Sequence, residues 1–453
     1  MTTTGTNKSD VVVVGGGVTG LATGALLAKG GKRVTVLEKG NQPGGRAYTR
    51  EEKGFTLNYG PRAIYRPDTG VFAELFRRLG RPKPTFGYPE AVRSYWADGE
   101  RWGAVGAKAH QVMTTKLFPL GTRMAFAKTM LALRAEKPER LGDETWGAWV
   151  DRHTSDPALR RFLRAFGTVN TYTRPSDTLS ARFLVDHIQR NILADNAVGY
   201  MEGGWRSMYD AFIDELQRNG GALVTGARVE RLEVRDGRAV AAVTHDARYE
   251  ADAFVCTLPA QDAPSVAEPG SELARELAQW AALEDVRACT VDLGLSRPLR
   301  SDDATYVYDV RHDLYYSVHS ESAHDLAPAG GWMLHAMAYL SPEEAADDTL
   351  AAARKDELVA GLDRWFAGWR DAVVVERTLP NVRVVCARNT PTQYLRNRVP
   401  LRSQAAANLY YAGDARDLPG NLTEVCFASA LEAADAVTAS VRATEPIASA
   451  SVN

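Results

Sequence analysis

The first strong signal in the chain is an unbroken apolar run, Val11 to Val14. A glycine-punctuated small-residue stretch, LATGALLAKG, follows it, and then a second strand-like run, RVTVLE. A run without polar alternation predicts a strand buried on both faces, and the small-residue stretch predicts a helix that packs closely on it. Together the three predict one βαβ unit ending at Glu38. Gly15 permits the tight turn, Gly17 lets backbone approach a pyrophosphate, and Gly20 lets the helix close on the strand, with the helix N-terminus facing the phosphates. Glu38 stands where a carboxylate accepts both hydroxyls of an adenosine ribose and repels a 2′-phosphate. A glycine turn that merely packs would leave Glu38 without a role.

From about Thr85 to Tyr200 the valine-rich pattern gives way to helical spacing. PLGTRMAFAKTMLALRAEK repeats Met124, Ala127, Met130, Leu131 and Arg134 at helical intervals. Such a stripe predicts a core-facing helix of a second domain, or one that faces lipid or a substrate tunnel. DETWGAWVDRH and DPALRRFLRAFGTV predict two more helices, each opened by an aspartate able to cap it. After Tyr200 the first pattern returns. An amphipathic helix stops at Asn219, Gly220 and Gly221, a hairpin turns at Asp236 and Gly237, and YEADAFVCTLP reads as a buried strand. VRACTVDLGLS, ATYVYDV, LYYSVHS and WMLHAMAYLS then alternate in strand fashion and predict an antiparallel sheet. EEAADDTLAAARKDELVAGLDRWFAGW predicts one long helix with acidic charge at its start. The first nine and last eight residues read as frayed tails.

With 453 residues, 45% apolar and 24% charged, the composition is that of a globular protein of two domains or one interleaved pair. A net charge of -2 offers nucleic acid or an anionic membrane no bulk attraction. Cys256, Cys289, Cys386 and Cys426 are scattered, without metal or redox spacing, which suggests buried thiols in a reducing cytoplasm. The uncharged stretch 11–28 has the length of a membrane span, but its glycines and the strand that follows favour the nucleotide reading. No transmembrane segment, export signal or metal site is therefore expected.

Gly44, Gly45 and Arg46 come just after Glu38, and this GGR resembles the second fingerprint of FAD enzymes in the flavin amine oxidase and phytoene desaturase superfamily. The resemblance runs over residues 9–66 and returns near the C-terminus. It implies an α/β fold in which a Rossmann-type FAD-binding domain is assembled from residues 1–80, 200–265 and 385–445. The interleaved α+β substrate domain would be helical over 81–199 and carry its antiparallel sheet over 266–384. The resemblance also implies that Gly45 and Arg46 lie at the FAD phosphates, and that Gly60 and Pro61 bring backbone close to the flavin ring. Arg62 would point toward the ring or the substrate, the plain alternative being a surface ion pair. Val229 would lay its backbone on the adenine edge. Gly413 and Asp414 would meet the pyrophosphate and ribityl chain, and Val425 stands in the first turn of the last helix, whose N-terminus would lie against the flavin O2 carbonyl.

The resemblance implies hydride transfer from a substrate carbon to flavin N5. The chain has no second GxGxxG and no cysteine pair, so the electrons are expected to leave to dioxygen, a quinone or another external acceptor. Amine oxidases of this superfamily hold a lysine near N5, yet no lysine occurs from 138 to 354. Their aromatic residue before the final helix is replaced here by Thr423, Glu424, Val425 and Cys426. A desaturase-like or dehydrogenase-like reaction on a largely apolar small molecule is therefore expected, with contact to a membrane surface. The alternatives are an oxidase of amines, amino acids or porphyrinogens, and a non-catalytic binding protein of the GDP-dissociation-inhibitor type. Strand alternation puts Met333, His335, Met337 and Tyr339 on one face, and His335 is the side chain chosen as a catalytic candidate.

Overall fold

The computed structural model describes residues 5–90, 93–105, 109–300 and 304–441. At its centre the strand Gly5–Val14 runs between Val34–Leu37 and Ala247–Cys256, parallel to both. Val11, Val12 and Val13 are completely buried there, as an apolar run covered on both faces requires. The sheet continues outward through Ala222–Val224 on one side and through the hairpin Val229–Arg235 and Arg238–Thr244 on the other, while Leu409–Tyr411 pairs with the end of Ala247–Cys256. Strands from three separated stretches of the chain thus share one sheet. The helix Val18–Lys29 lies against it, packed between the helices Arg206–Arg218 and Thr423–Ser440. A Cβ on Gly24 would come within 2.7 Å of Val36 Cγ2, which is why small residues fill this helix.

The expected N-terminal tail is corrected in part. Gly5 to Lys8 belong to the first strand and pair with Ala247 to Glu250, so the strand is longer than its apolar run. The last eight residues lie outside the described ones.

The second sheet runs in the order Val373–Val385, Val286–Leu295, Trp332–Leu340, Leu314–Val318, Tyr306–Asp309, Ser94–Asp98 and Arg101–Ala104. Its last two strands form a hairpin inside a stretch expected to be helical. They are four or five residues long, too short for alternation to stand out from the helices that follow, and they join the sheet by a parallel pairing with Tyr306–Asp309. The helix Asp348–Trp365 covers one face, where Leu358 and Leu362 share a core with Leu334, Ala336 and Ala338. Met337 and Tyr339 pack on the other face among Trp96, Phe162 and their neighbours.

Three helix expectations change. The long acidic helix is two, because Ser341 caps Pro342–Ala346 in a capping box with Glu344 and Asp347 then caps a new start at Asp348. Trp146–His153 is capped by Thr145 rather than by Asp143, which instead pairs with Arg396; Asp156 does cap Pro157–Thr171. On Leu120–Ala135 the core face is Thr122, Phe126, Thr129 and Leu133. Of the stripe chosen from the sequence, Met130 is partly buried and packs against this core, whereas Met124 is 62% and Leu131 70% exposed and Arg134 is exposed with them. Among the described residues, no helix is long and apolar enough to cross a membrane.

Candidate active site

A cavity of about 420 Å³ opens where the glycine turn, the GGR segment and the substrate sheet meet. Gly15 makes the turn at φ 108°, a conformation that side chains resist. A Cβ on Gly20 would stand 1.9 Å from Gly15 O, so this position binds helix to turn, as expected. A Cβ on Gly17 would meet nothing within 4 Å. Gly17 is also the N-cap of Val18–Lys29 and supplies no side chain to that helix start, so the first-turn N–H groups face the cavity.

Glu38 is 9% exposed. Its Oε2 accepts from Gly16 N at 2.8 Å and its Oε1 from Gly40 N at 2.7 Å. Two backbone donors thereby fix the carboxylate on the cavity wall, each oxygen keeping acceptor capacity for a ribose hydroxyl. Val229 lines the same end.

Arg46 donates to Asp414 through Nη1 at 2.8 Å and Nη2 at 2.6 Å, and Nη1 also reaches Val384 O at 2.9 Å. Cys386 N donates to Asp414 at 3.0 Å. Burial alone would push the Asp414 carboxyl up, but Arg46 and the Cys386 amide override it and hold it at about 2. The same pairing raises Arg46 against the effect of its own burial. The pair locks the GGR segment to the far end of the chain across 368 residues. Cys426, also on the wall, is pushed up to about 12 by burial and stands as a neutral thiol.

Arg62 does not form the surface ion pair. Its Nε donates to Tyr59 O at 3.0 Å, its guanidinium lies 5.7 Å from the Trp205 ring, and it lines the cavity with Tyr59, Ala63, Tyr172 and Leu422.

Of the sequence candidates, the structure brings Gly15, Gly17, Glu38, Gly45, Arg46, Arg62, Val229 and Asp414 to this wall. Gly20, Gly60, Pro61, Gly413 and Val425 stand behind it. Gly60 packs on Thr290, 3.1 Å from the site of a Cβ. Gly413 borders a small adjoining hollow that shares Arg46 and Asp414. Val425 is 1% exposed and turned inward, its neighbours Thr423 and Cys426 taking the wall.

His335 is a correction. It is completely buried, bonded through Nδ1 to Asp292 Oδ1 at 2.6 Å, and is not among the lining residues. Asp292 is held from its other side by Arg377 at 2.6 Å. Helices and neighbouring strands cover both faces of Trp332–Leu340, so alternation identified a face of the sheet but not a wall of the cavity.

Sequence reasoning missed Tyr59, Tyr172, Trp205, Val382 and Val384. Val382 and Val384 share one face of their strand by period-two alternation. Trp205 follows the Gly203–Gly204 turn. Tyr172, a left-handed helix cap at φ 62°, leaves no signal in sequence.

A cavity lined by a bare glycine at a helix N-terminus, a carboxylate fixed by two backbone donors, and aromatic side chains fits a dinucleotide carrying a ring system. Comparison with known proteins defines the class. The family model of flavin containing amine oxidoreductases matches residues 18–438, and the chain belongs to that family of FAD-dependent oxidoreductases. Its cofactor is FAD. A phytoene dehydrogenase of Streptomyces griseus is 29% identical over 279 residues, covering 54% of this chain and 54% of that protein. The chain thus spans about half the length of the curated relatives it matches. An oxidoreductase structure from Methanosarcina mazei has a TM-score of 0.77 at 19% identity, over 94% of this chain and 100% of that one. Cyclohexylamine oxidase from Brevibacterium oxydans has a TM-score of 0.71 at 16% identity, over 95% and 99%. Identities this low show the fold alone.

Proposed function

We propose that the protein is an FAD-dependent desaturase or dehydrogenase acting on a largely apolar small molecule. The observation that carries this reading is the character of the cavity around Arg62. The lining near Arg62 includes Tyr59, Ala63, Tyr172, Trp205 and Leu422, and among the described residues no carboxylate pairs with the Arg62 guanidinium. A cation there repels the ammonium of an amine substrate, while aromatic and aliphatic walls bind by area removed from water, about 25 cal/mol per Å². The relationship to a phytoene dehydrogenase supports the same reading.

When bound, FAD would supply the oxidising equivalent for removing two hydrogens across a carbon–carbon bond, and an external acceptor such as dioxygen or a quinone would take up the two electrons. The chain's own contribution is binding and orientation. Gly17 and the N-terminus of Val18–Lys29 would hold the pyrophosphate, Glu38 the ribose and Val229 the adenine edge. Tyr59, Tyr172 and Leu422 would exclude water and orient the substrate.

We also assign a peripheral lipid contact to the outer face of Leu120–Ala135. Leu120, Met124 and Leu131 are each more than 60% exposed there, Met113 adjoins them, and Arg123, Lys128 and Arg134 supply flanking positive charge.

The deciding experiment mixes oxidised enzyme anaerobically with polyenes, porphyrinogens, amines and amino acids in turn while the flavin absorbance is followed. Bleaching by a polyene is the expected result. Bleaching by amines, with none by apolar compounds, would overturn the reading.

A further inference from the structure

We propose that Glu424 and Asn191 are positioning residues, whose contact behind the cavity holds Leu422 on the wall in a backbone conformation that a leucine resists. Leu422 occupies this place whichever compound is oxidised, so the two residues keep this role whether or not the substrate is an apolar one.

Leu422 opens the helix Thr423–Ser440 with φ 51° and ψ -125°. These angles lie outside the small left-handed well and match the first central position of a type II′ turn, where glycine is the usual residue. Tyr172, another wall residue with positive φ, lies by contrast in the ordinary well, at φ 62° and ψ 6°. Leu422 is half-buried; its side chain lines the cavity and packs against the core that holds Trp96 and Tyr339. A bulky residue keeps such a conformation only where its surroundings over-determine it. The helix start itself does not call for it, because leucine offers no oxygen to cap the first turn.

The groups that fix Leu422 lie behind the wall. Glu424 N donates to Asn421 O at 3.0 Å and Asn421 N donates to Glu424 Oε2 at 3.4 Å, so reciprocal bonds close across Leu422. The same carboxylate accepts from Asn191 Nδ2 on both oxygens, at 3.1 and 3.0 Å, from 233 residues away. Asn191 is 1% exposed and stands in the wide π-helical turn Ile188–Ile192 that continues the helix Ala181–His187, a feature that recurs at functional sites. His187 Nδ1 lies 3.6 Å from Glu424 Oε2, and Arg190 Nη1 lies 3.8 Å from Oε1. Burial alone would push the Glu424 carboxyl up, but His187, Arg190 and Asn191 hold it below the ordinary range. At neutral pH an anion therefore sits in the first turn of the helix, where the helix dipole also favours it. Neither Glu424 nor Asn191 is among the lining residues, so they reach the wall through the backbone of Leu422.

The test uses the flavin-loaded enzyme, with circular dichroism of the bound flavin to report the shape of the wall and urea unfolding to report the fold. Leu422→Gly is expected to exceed Leu422→Ala in stability by at least about fivefold in the unfolding equilibrium, the reverse of the order at an ordinary position. Asn191→Ala and Glu424→Gln, which change groups away from the cavity, are expected to alter the flavin dichroism in the same way while FAD stays bound. Opening the clamp releases strain only where residue 422 is leucine. Glu424→Gln is therefore expected to cost at least about fivefold less stability in the parent than in a Leu422→Gly background. A purely structural contact would cost the same in both. Leu422→Gly no more stable than Leu422→Ala, clamp variants with full flavin and the parent's dichroism, or additive costs in the double variant would each overturn the proposal. The comparison of glycine with alanine needs no clamp variant to fold, and Asn191→Ala completes the same cycle if Glu424→Gln does not fold.

Discussion

Alanine at Gly17 and at Gly20 should separate cofactor binding from folding. The two positions lie three residues apart, and both face crowded parts of the turn in sequence logic, but their surroundings differ. At Gly20 the new Cβ would sit 1.9 Å from a backbone oxygen, Gly15 O, and 2.9 Å from Thr257 Oγ1. Relief requires the helix Val18–Lys29 to move off the sheet by more than 1 Å, disturbing a helix whose residues 19–28 are all buried. A loss of several kcal/mol, at the upper end of overpacking costs of about 1–3 kcal/mol, is expected. At Gly17 the Cβ meets nothing within 4 Å, and φ -73° with ψ 173° suits any residue. Alanine there gains about 0.4–1 kcal/mol by restricting the unfolded chain. It gives back on the order of 1 kcal/mol as a poorer N-cap, so the net change in the flavin-free protein is near zero. Bound FAD changes this balance, because the methyl group occupies the approach of the pyrophosphate. Loss of one charge-assisted bond, about 1.5–3 kcal/mol, weakens FAD by roughly ten- to a hundredfold. Urea unfolding of the flavin-free variants and fluorescence titration with FAD measure the two quantities separately. An undiminished FAD affinity in Gly17→Ala, or a flavin-free Gly20→Ala as stable as the parent, would refute the assignment of this turn.

Asp414→Asn should cost about 2 kcal/mol at pH 7, because the carboxyl is held at about 2 against an ordinary 3.8. A depressed folded value means that this stability is complete above about pH 4 and lost as pH falls toward 2. The difference between parent and variant in urea unfolding should therefore shrink over that window; a pH-independent difference would contradict the pairing. Asp292→Asn, which leaves Arg377 and His335 without their buried counter-charge, should lose about 3–5 kcal/mol. His335→Gln should alter stability while leaving the rate of flavin reduction close to the parent's, and a large fall in that rate at full flavin content would return His335 to the chemistry. Serine at Leu120, Met124 and Leu131 together should lower co-sedimentation with phosphatidylserine-containing vesicles by at least about tenfold, given about 1.5–3 kcal/mol for each apolar side chain fully buried. Unchanged sedimentation would remove that face from any lipid contact.

The local part of this protein was legible in its sequence. The run Val11 to Val14, the three glycines and Glu38 are read within forty residues, and strand, turn and helix there are dictated by neighbours along the chain. The hairpin at Asp236–Gly237 and the helix stop at Asn219–Gly221 follow from the same short-range chemistry. Period-two alternation also grouped Met333, His335, Met337 and Tyr339 correctly on one face. It could not say what lies opposite that face, and the structure puts protein core there, with Asp292 and Arg377 arriving from two other strands to hold His335. For Leu120–Ala135, the periodicity alone did not distinguish the exposed face from the buried one. Phe126 faces inward because Phe162, from a separate helix, and Phe118 meet its ring, and Leu133 joins the same core. Arg62 shows the division most clearly. Its residue type announced a cation, but whether that cation met a surface carboxylate or an open cavity depended on which acids the fold had already paired with other arginines. Pattern along the chain determines elements and their apolar faces; the partner of a charge is set by groups hundreds of residues away, brought within 3 Å only when the sheets close.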